Sequence, residues 1–407
     1  MLRILLCLSA LHASLAAGEA ALALSPAATP DLASLEARVG ALEASSLKAL
    51  RVKVEGYAQL RYDEQQYKVG SVNSPSSVSP LAVPLSVNTR GAYIKRAEVK
   101  LSGEVIPNLD WVLGYGFEEG KLKDIGTVWK GLPLMHGLAG YTWTLQTGQF
   151  RQKFGAEPQL GSAKLPFHER AIMYGGVHPF GALNLKMIGE RVLGFHLIHS
   201  HDFEAWGYDW GWSLSNDGTD QSKGTNSLAG AFPGQTVDEN PSLTGRLGFK
   251  AWGAKAGVSW QRNSKNSQFM ASTPSAQAYD ETLGLDLRFE LADWLWIQGE
   301  WVAQQGINGD TGLLGREEGS SLALGFYPVG FHKRKDLEPT FRFERVVFIS
   351  PSSGAWAPSA YCAATAGLNW NFGFGKTSVN YTAYGLDDNY GAIGQTSLFT
   401  LQDQFTF

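Results

Sequence analysis

Three histidines stand close together in Phe195-His-Leu-Ile-His-Ser-His-Asp202, at 196, 199 and 201, and such a cluster invites a metal site. On an extended strand, side chains alternate between two faces, so His199 and His201 share a side while His196 takes the other. Asp202 is the one acidic residue beside them, and a turn region accounts for the trio better than a metal does. Gly373-Phe-Gly-Lys-Thr377 has the tail of a phosphate-binding loop, but that motif needs its first glycine at 370, where the chain has Trp370, and no helix follows. A tight turn between strands is the better account. The chain contains no Gly-x-Ser-x-Gly elbow, and nothing singles out a Ser-His pair. No catalytic residue, metal or cofactor is expected.

A different chemistry, that of fixed positive charge, is offered by Arg151, Lys153, Lys164 and Arg170. They lie in the segment 151–188, where Pro158, Pro166 and Pro179 together with five glycines forbid regular strands. Leu165, Phe167, Ile172, Met173 and Tyr174 in the same segment could anchor it against an apolar surface. Cations fixed in a narrow, low-dielectric passage attract anions. On a surface loop the same charges would merely be solvated.

The elements around this segment show a period of two. In Val52-Lys-Val-Glu-Gly-Tyr-Ala-Gln-Leu-Arg-Tyr62 the even positions are apolar or small, and the odd ones include Lys53, Glu55, Gln59 and Arg61. Arg96 and Lys100 oppose Ala97, Val99 and Leu101 in the same way. Similar segments recur near 109–118, 121–131, 140–150, 189–201, 204–215, 243–252, 254–262, 281–291, 293–303, 318–328, 338–349, 359–371, 374–384 and 395–407. With the first two that makes about sixteen, each near the length a tilted strand needs to cross a bilayer. Long connections alternate with tight turns, as they do in an up-and-down barrel. The connections at 119–120, 132–139 and 329–337 depart from that alternation.

An all-β, transmembrane, antiparallel barrel over 52–407 follows from this pattern. Its aqueous lumen takes the polar face, with wall charges Lys53, Arg61, Arg96, Lys100, Arg246, Arg288 and Arg342 among acids such as Glu98, Asp286 and Glu290. Its outer face takes the aromatics: Trp206, Tyr208, Trp210 and Trp212 on one segment, and Trp111, Tyr115 and Phe117 on another.

The ends of the chain point the same way. Residues 1–17 have a basic start at Arg3, a short apolar run and small residues near Ala16, the order of a secretory signal, which leaves Cys362 as the one cysteine of the exported chain. Residues 18–51 form a linker and a short heptad-like helix with Leu32, Leu35, Val39 and Leu42 in phase, expected on the periplasmic side. The chain closes at Phe407 on an alternating aromatic strand, which looks like the signal read by the barrel-assembly machinery. The 407 residues include 47 glycines and 12% aromatics, and a mean hydropathy of −0.14 excludes a helical membrane protein. A net charge of −4 argues against a nucleic-acid partner.

These residues resemble the phosphate-selective porins of the O/P type. The resemblance is carried by Gly148-Gln-Phe150 with Phe154-Gly155, by Phe167-His-Glu-Arg170, by Gly367-Leu-Asn-Trp370, and by the closing aromatic strand. It implies a homotrimer of sixteen-stranded barrels in the outer membrane of a Gram-negative bacterium. It also implies that the third long connection folds into the lumen, with Arg151, Lys153, Lys164 and Arg170 at a constriction. The mixed signs along the wall do not reproduce a basic ladder, so the expected function is passive diffusion of small hydrophilic solutes, neutral or anionic, with phosphate or polyphosphate among the anions. Two other readings predict different behaviour: a barrel that only anchors an enzyme or adhesin, and a soluble exported protein that binds carbohydrate.

Overall fold

The computed structural model describes residues 52–69, 89–118, 120–132, 142–174, 187–188, 191–215, 242–263, 281–307, 314–328, 336–350, 360–387 and 394–407. The expected signal peptide and heptad-like helix lie outside these residues. Sixteen strands follow one another: β1 (Lys53–Val69), β2 (Thr89–Ile106), β3 (Leu109–Gly116), β4 (Lys121–Lys130), β5 (Thr142–Arg151), β6 (Arg191–Asp202), β7 (Trp206–Ser215) and β8 (Ser242–Ala251). The second half comprises β9 (Ala254–Asn263), β10 (Glu281–Ala292), β11 (Leu295–Ile307), β12 (Leu314–Phe326), β13 (Leu337–Ser350), β14 (Ala360–Asn371), β15 (Gly375–Asp387) and β16 (Gly394–Thr406). Each pairs antiparallel with its neighbours in sequence, and β1 pairs with β16, with Ala58 opposite Phe405 and Tyr62 opposite Leu401. The sheet therefore closes and leaves no free edge.

The seam is completed by the last residue. Phe407 and Gly56 exchange backbone hydrogen bonds of 2.9 and 3.0 Å, and the Phe407 ring fills the space beside the glycine that a Cβ would need. Several strands outrun their two-faced segments. β2 begins at Thr89 and β12 at Leu314, so the backbone ladder continues past the stretch in which the sequence alternates. The short connection between β3 and β4 and the long ones after β4 and β12 are present as the sequence indicated.

The two faces invert the logic of a water-soluble sheet. Trp206, Trp212, Leu247, Phe249, Val258, Leu283, Leu285 and Leu287 are exposed, whereas Ser213, Thr244, Ser259, Gln261, Thr282 and Asp286 of the same strands are buried. Burying one large apolar side chain is worth about 1.5–3 kcal/mol, so a continuous outward band of them is tolerable only where the surroundings are themselves apolar. Tyr115 stands opposite Val99, Leu113 opposite Leu101 and Trp111 opposite Gly103 across β2 and β3, and Tyr115 and Phe117 are exposed. The seven wall cations alternate onto the inner side.

A core exists all the same, inside the barrel. Phe154, Ile172, Met173, Tyr174, Met187 and Ile188 from the long connection pack on Val302, Val346, Tyr361, Tyr384 and Leu398, apolar residues that β11 and β13–β16 turn inward. Phe167 forms a second cluster with Trp296 and Ala323. The anchoring residues expected from the sequence are all buried here: Leu165, Phe167, Ile172, Met173 and Tyr174.

Candidate functional site

The site is the lumen and the segment 152–174 folded into it. Prolines and glycines keep that segment out of the ladder, so its backbone groups must find partners elsewhere. Wall side chains supply them. Gln152 Nε2 donates to Thr244 Oγ1 at 3.0 Å and Gln261 Oε1 at 2.7 Å, and the Gly155 amide donates to Ser259 Oγ at 2.9 Å. The Glu157 amide donates to Glu300 Oε1 at 3.0 Å, Tyr174 Oη to Glu300 Oε2 at 2.7 Å, and the Ile172 amide to Glu344 Oε1 at 2.7 Å. Further round the wall, Asn369, Lys376 and Gln404 donate to the carbonyls of Pro166, Leu165 and Ala163 at 2.8, 2.8 and 3.0 Å. Phe154 needs a gap in the wall, and Gly284 leaves one, since a Cβ there would stand 2.5 Å from Phe154 Cε1.

Glu169 locks the far end of the segment. β1 and β2 slip register between Gln59, opposite Arg96, and Leu60, opposite Ile94, which leaves Lys95 as a bulge residue. Lys95 and Arg96 therefore reach the same carboxylate, at 2.8 and 3.2 Å, and Arg61 pairs with it as well. Burial alone would raise the Glu169 carboxyl, but the charges of Arg96, Lys95 and Arg61 outweigh it and hold the group well below the usual carboxylate range. Beside it, His168 Nε2 meets Ser378 Oγ at 2.7 Å. Burial, with Arg61 and Lys376 nearby, pushes the imidazole down to about 3, so it is neutral. Arg342 caps the group, stacked 4.5 Å above the Phe167 ring and donating to the Glu169 carbonyl at 2.9 Å.

The four loop cations divide into two pairs. Arg151 donates to the Leu160 carbonyl, and Arg170 donates to the Glu157 carbonyl and, at 2.7 Å, to that of Leu160. Their guanidinium groups hold the loop's turn together. The side-chain ammonium groups of Lys153 and Lys164 have no hydrogen-bond or ion-pair partner among the described residues. Lys153 lies against the wall at Gly211, and its burial lowers its pKa, opposed by Asp209 and reinforced by Arg151. Lys164 is exposed.

Most wall cations are likewise paired: Arg246 forks onto Asp286, with Nη2 to Oδ1 at 2.9 Å, Arg342 Nε lies 3.0 Å from Glu344, and Lys53 pairs with Glu55. Arg288 lies over the Trp296 ring at 4.9 Å. The histidines divide as the alternation requires. His196 faces inward with Nδ1 2.6 Å from Ser213 Oγ, while His199 stacks outward on Trp143 at 4.7 Å, beside Trp210. No group of three metal-binding side chains occurs among the described residues.

The sequence did not single out Glu157, Glu300, Glu344 or Lys95, and it placed Arg61 and Arg96 on the wall without showing that both meet Glu169. These groups are brought together over separations of up to 172 residues, and the one hint was that acids alternate onto the inner face at all.

Neither a protein-family model nor a curated protein sequence matches the chain. Solved structures do. The chain has the sixteen-stranded porin fold. An anion-selective porin from Comamonas acidovorans superposes with a TM-score of 0.53 at 11% identity, over 88% of this chain and 99% of that one. The outer membrane channel DcaP of Acinetobacter baumannii gives 0.51 at 12% identity, over 88% and 97%. OprB of Pseudomonas putida gives 0.53 at 8% identity, over 91% and 97%. At such identities the shared property is the porin fold, and pore chemistry has to be argued from this chain's own residues.

Proposed function

We propose that this barrel is a porin of a Gram-negative outer membrane, a channel without catalytic residues through which small hydrophilic solutes diffuse. The observation that carries the reading is the pairing of an apolar outer wall with a polar lumen into which 152–174 folds and stays bound. A closed barrel of this size encloses water, and a loop fixed across it narrows the passage without closing the wall. Small anions, phosphate among them, are preferred. That preference rests on Lys153 and Lys164, because a cation already paired with a carbonyl or carboxylate adds little field to the passage. The likeness to the anion-selective Comamonas porin supports the fold on which this rests. Assembly is proposed as three chains, with Phe407 read by the insertion machinery.

Single-channel recording of the purified protein in a planar bilayer tests the reading. Steady conductance with a reversal potential on the anion side in a salt gradient is the expected result. Folded protein that conducts nothing overturns the proposal and favours a barrel that anchors another activity.

A further inference from the structure

A second feature of the lumen lies at the end of the barrel that carries the short turns, where the tip of the folded segment meets the wall. There a cavity of about 380 Å³ is lined by Lys164 of the loop, Arg288 and Trp296 of β10 and β11, Lys376 of β15, and Gln404 and Thr406 of β16. Three of these six side chains are cationic. The acid in the cavity, Glu338, is already occupied: its Oε1 accepts from Trp296 Nε1 at 2.8 Å and Tyr327 Oη at 3.2 Å, and its Oε2 from Asn369 Nδ2 at 3.1 Å. Lys376 gives one side-chain N–H to the Leu165 carbonyl and keeps two, and the Lys164 ammonium keeps all three, while Arg288 spends Nη1 on Gln298 Oε1 at 3.2 Å and holds Nε 3.4 Å from Glu290. The cavity thus presents unspent Lys164 and Lys376 donors beside one carboxylate that three neutral donors already hydrogen-bond, and its three cations outnumber that single negative charge.

Its hydroxyl group has the opposite polarity of need. Thr406 Oγ1 spends its hydrogen on the Phe374 carbonyl at 3.0 Å, so its remaining capacity is to accept. A bare oxyanion satisfies the cations and offers Thr406 nothing. It also leaves much of the cavity, about 380 Å³, to water. A ligand with an acidic group at one end and hydroxyls along its body uses both sets of partners.

We infer that this cavity is a binding site for small polyhydroxylated organic anions, of the size and chemistry of a sugar acid or sugar phosphate. The inference rests on the lumen reading above and names the class of solute that pauses there. The acidic group lies among Lys164, Arg288 and Lys376, and the hydroxyls donate to Thr406.

Isothermal titration calorimetry of the detergent-solubilised, heat-modifiable protein tests it, with gluconate and glucose 6-phosphate as probes and with glucose and inorganic phosphate as controls. Both probes should bind saturably. K164Q, at an exposed loop position that leaves the barrel intact, and R288Q should each weaken binding about tenfold, the loss of one charge-assisted contact. T406V should weaken the two probes more than it weakens inorganic phosphate. Absence of saturable binding, binding of glucose equal to that of gluconate, or indifference to both K164Q and R288Q overturns the site. Inorganic phosphate binding as tightly as gluconate overturns the ligand class. Conductance recorded on the same preparation separates the two levels: conduction without probe binding removes this site alone, and probe binding without conduction removes the channel reading alone.

Discussion

His168 in the folded segment and Ser378 on strand β15, 210 residues apart in the chain, meet through Nε2 and Oγ at 2.7 Å in the interior of the barrel. Burial, with Arg61 and Lys376 nearby, keeps the docked imidazole neutral down to about pH 3. In the undocked segment the same histidine takes a proton near pH 6.5. Between about pH 6.5 and 3 the undocked form therefore binds more protons than the docked one, and docking weakens as pH falls through that window. Single-channel current noise should rise as pH is lowered from 7 to 4, and H168Q should flatten that dependence. A wild-type trace unchanged over this range would count against the docking role of His168.

Glu169 behaves in the opposite sense. Its carboxyl is held low by three cations, so the lock is fully present above the ordinary carboxylate pKa and is lost only as pH falls through the depressed one. E169Q removes the charge and leaves Arg61, Lys95 and Arg96 facing one another, a loss on the order of 3 kcal/mol for a buried pair broken on one side. The segment should become sensitive to protease in folded protein, and conductance should increase and fluctuate. Resistance equal to wild type would show that the apolar cluster alone holds it.

Charge selectivity separates the loop cations. K153Q combined with K164Q should lower the anion-to-cation permeability ratio by roughly twofold or more, read from reversal potentials, because both ammonium groups add their field to the passage. R151Q should leave the ratio close to wild type and act on loop order instead, since its guanidinium is spent on the Leu160 carbonyl. A larger shift from R151Q than from the lysine pair would reverse the assignment.

The direction of the wall is open to a direct test at Leu285, 46% exposed on the outer face of β10. L285R should cost about 2–4 kcal/mol in folding into liposomes when the position lies near the bilayer midplane. L285F should fold as wild type does. If L285R folds unimpaired, the outer face does not meet lipid.

Gly284, next to it on the inner face, should accept no side chain. G284V places carbon where Phe154 sits, and overpacking of this kind costs about 1–3 kcal/mol. The expected outcome is a barrel of normal heat-modifiability whose segment 152–174 exchanges its amides faster, by mass-resolved hydrogen exchange.

By itself the sequence determined the wall. Side chains on a strand must alternate, so Val52 to Tyr62 or Leu283 to Leu291 reveal two faces locally, and the alternation of long and short connections then determines neighbours without any long-range information. It also determined which residues the loop buries, because Phe167, Ile172, Met173 and Tyr174 are apolar wherever they lie. It did not determine what the charges do. Arg151 and Lys153 are two residues apart and alike in sequence, yet one is consumed by a carbonyl nine residues on and the other has no partner among the described residues. Only tertiary structure decided that, since a charge is defined by the groups within a few ångströms of it, and those depend on how the loop turns and on which wall residues it meets, as Glu169 meets Arg61 across 108 residues.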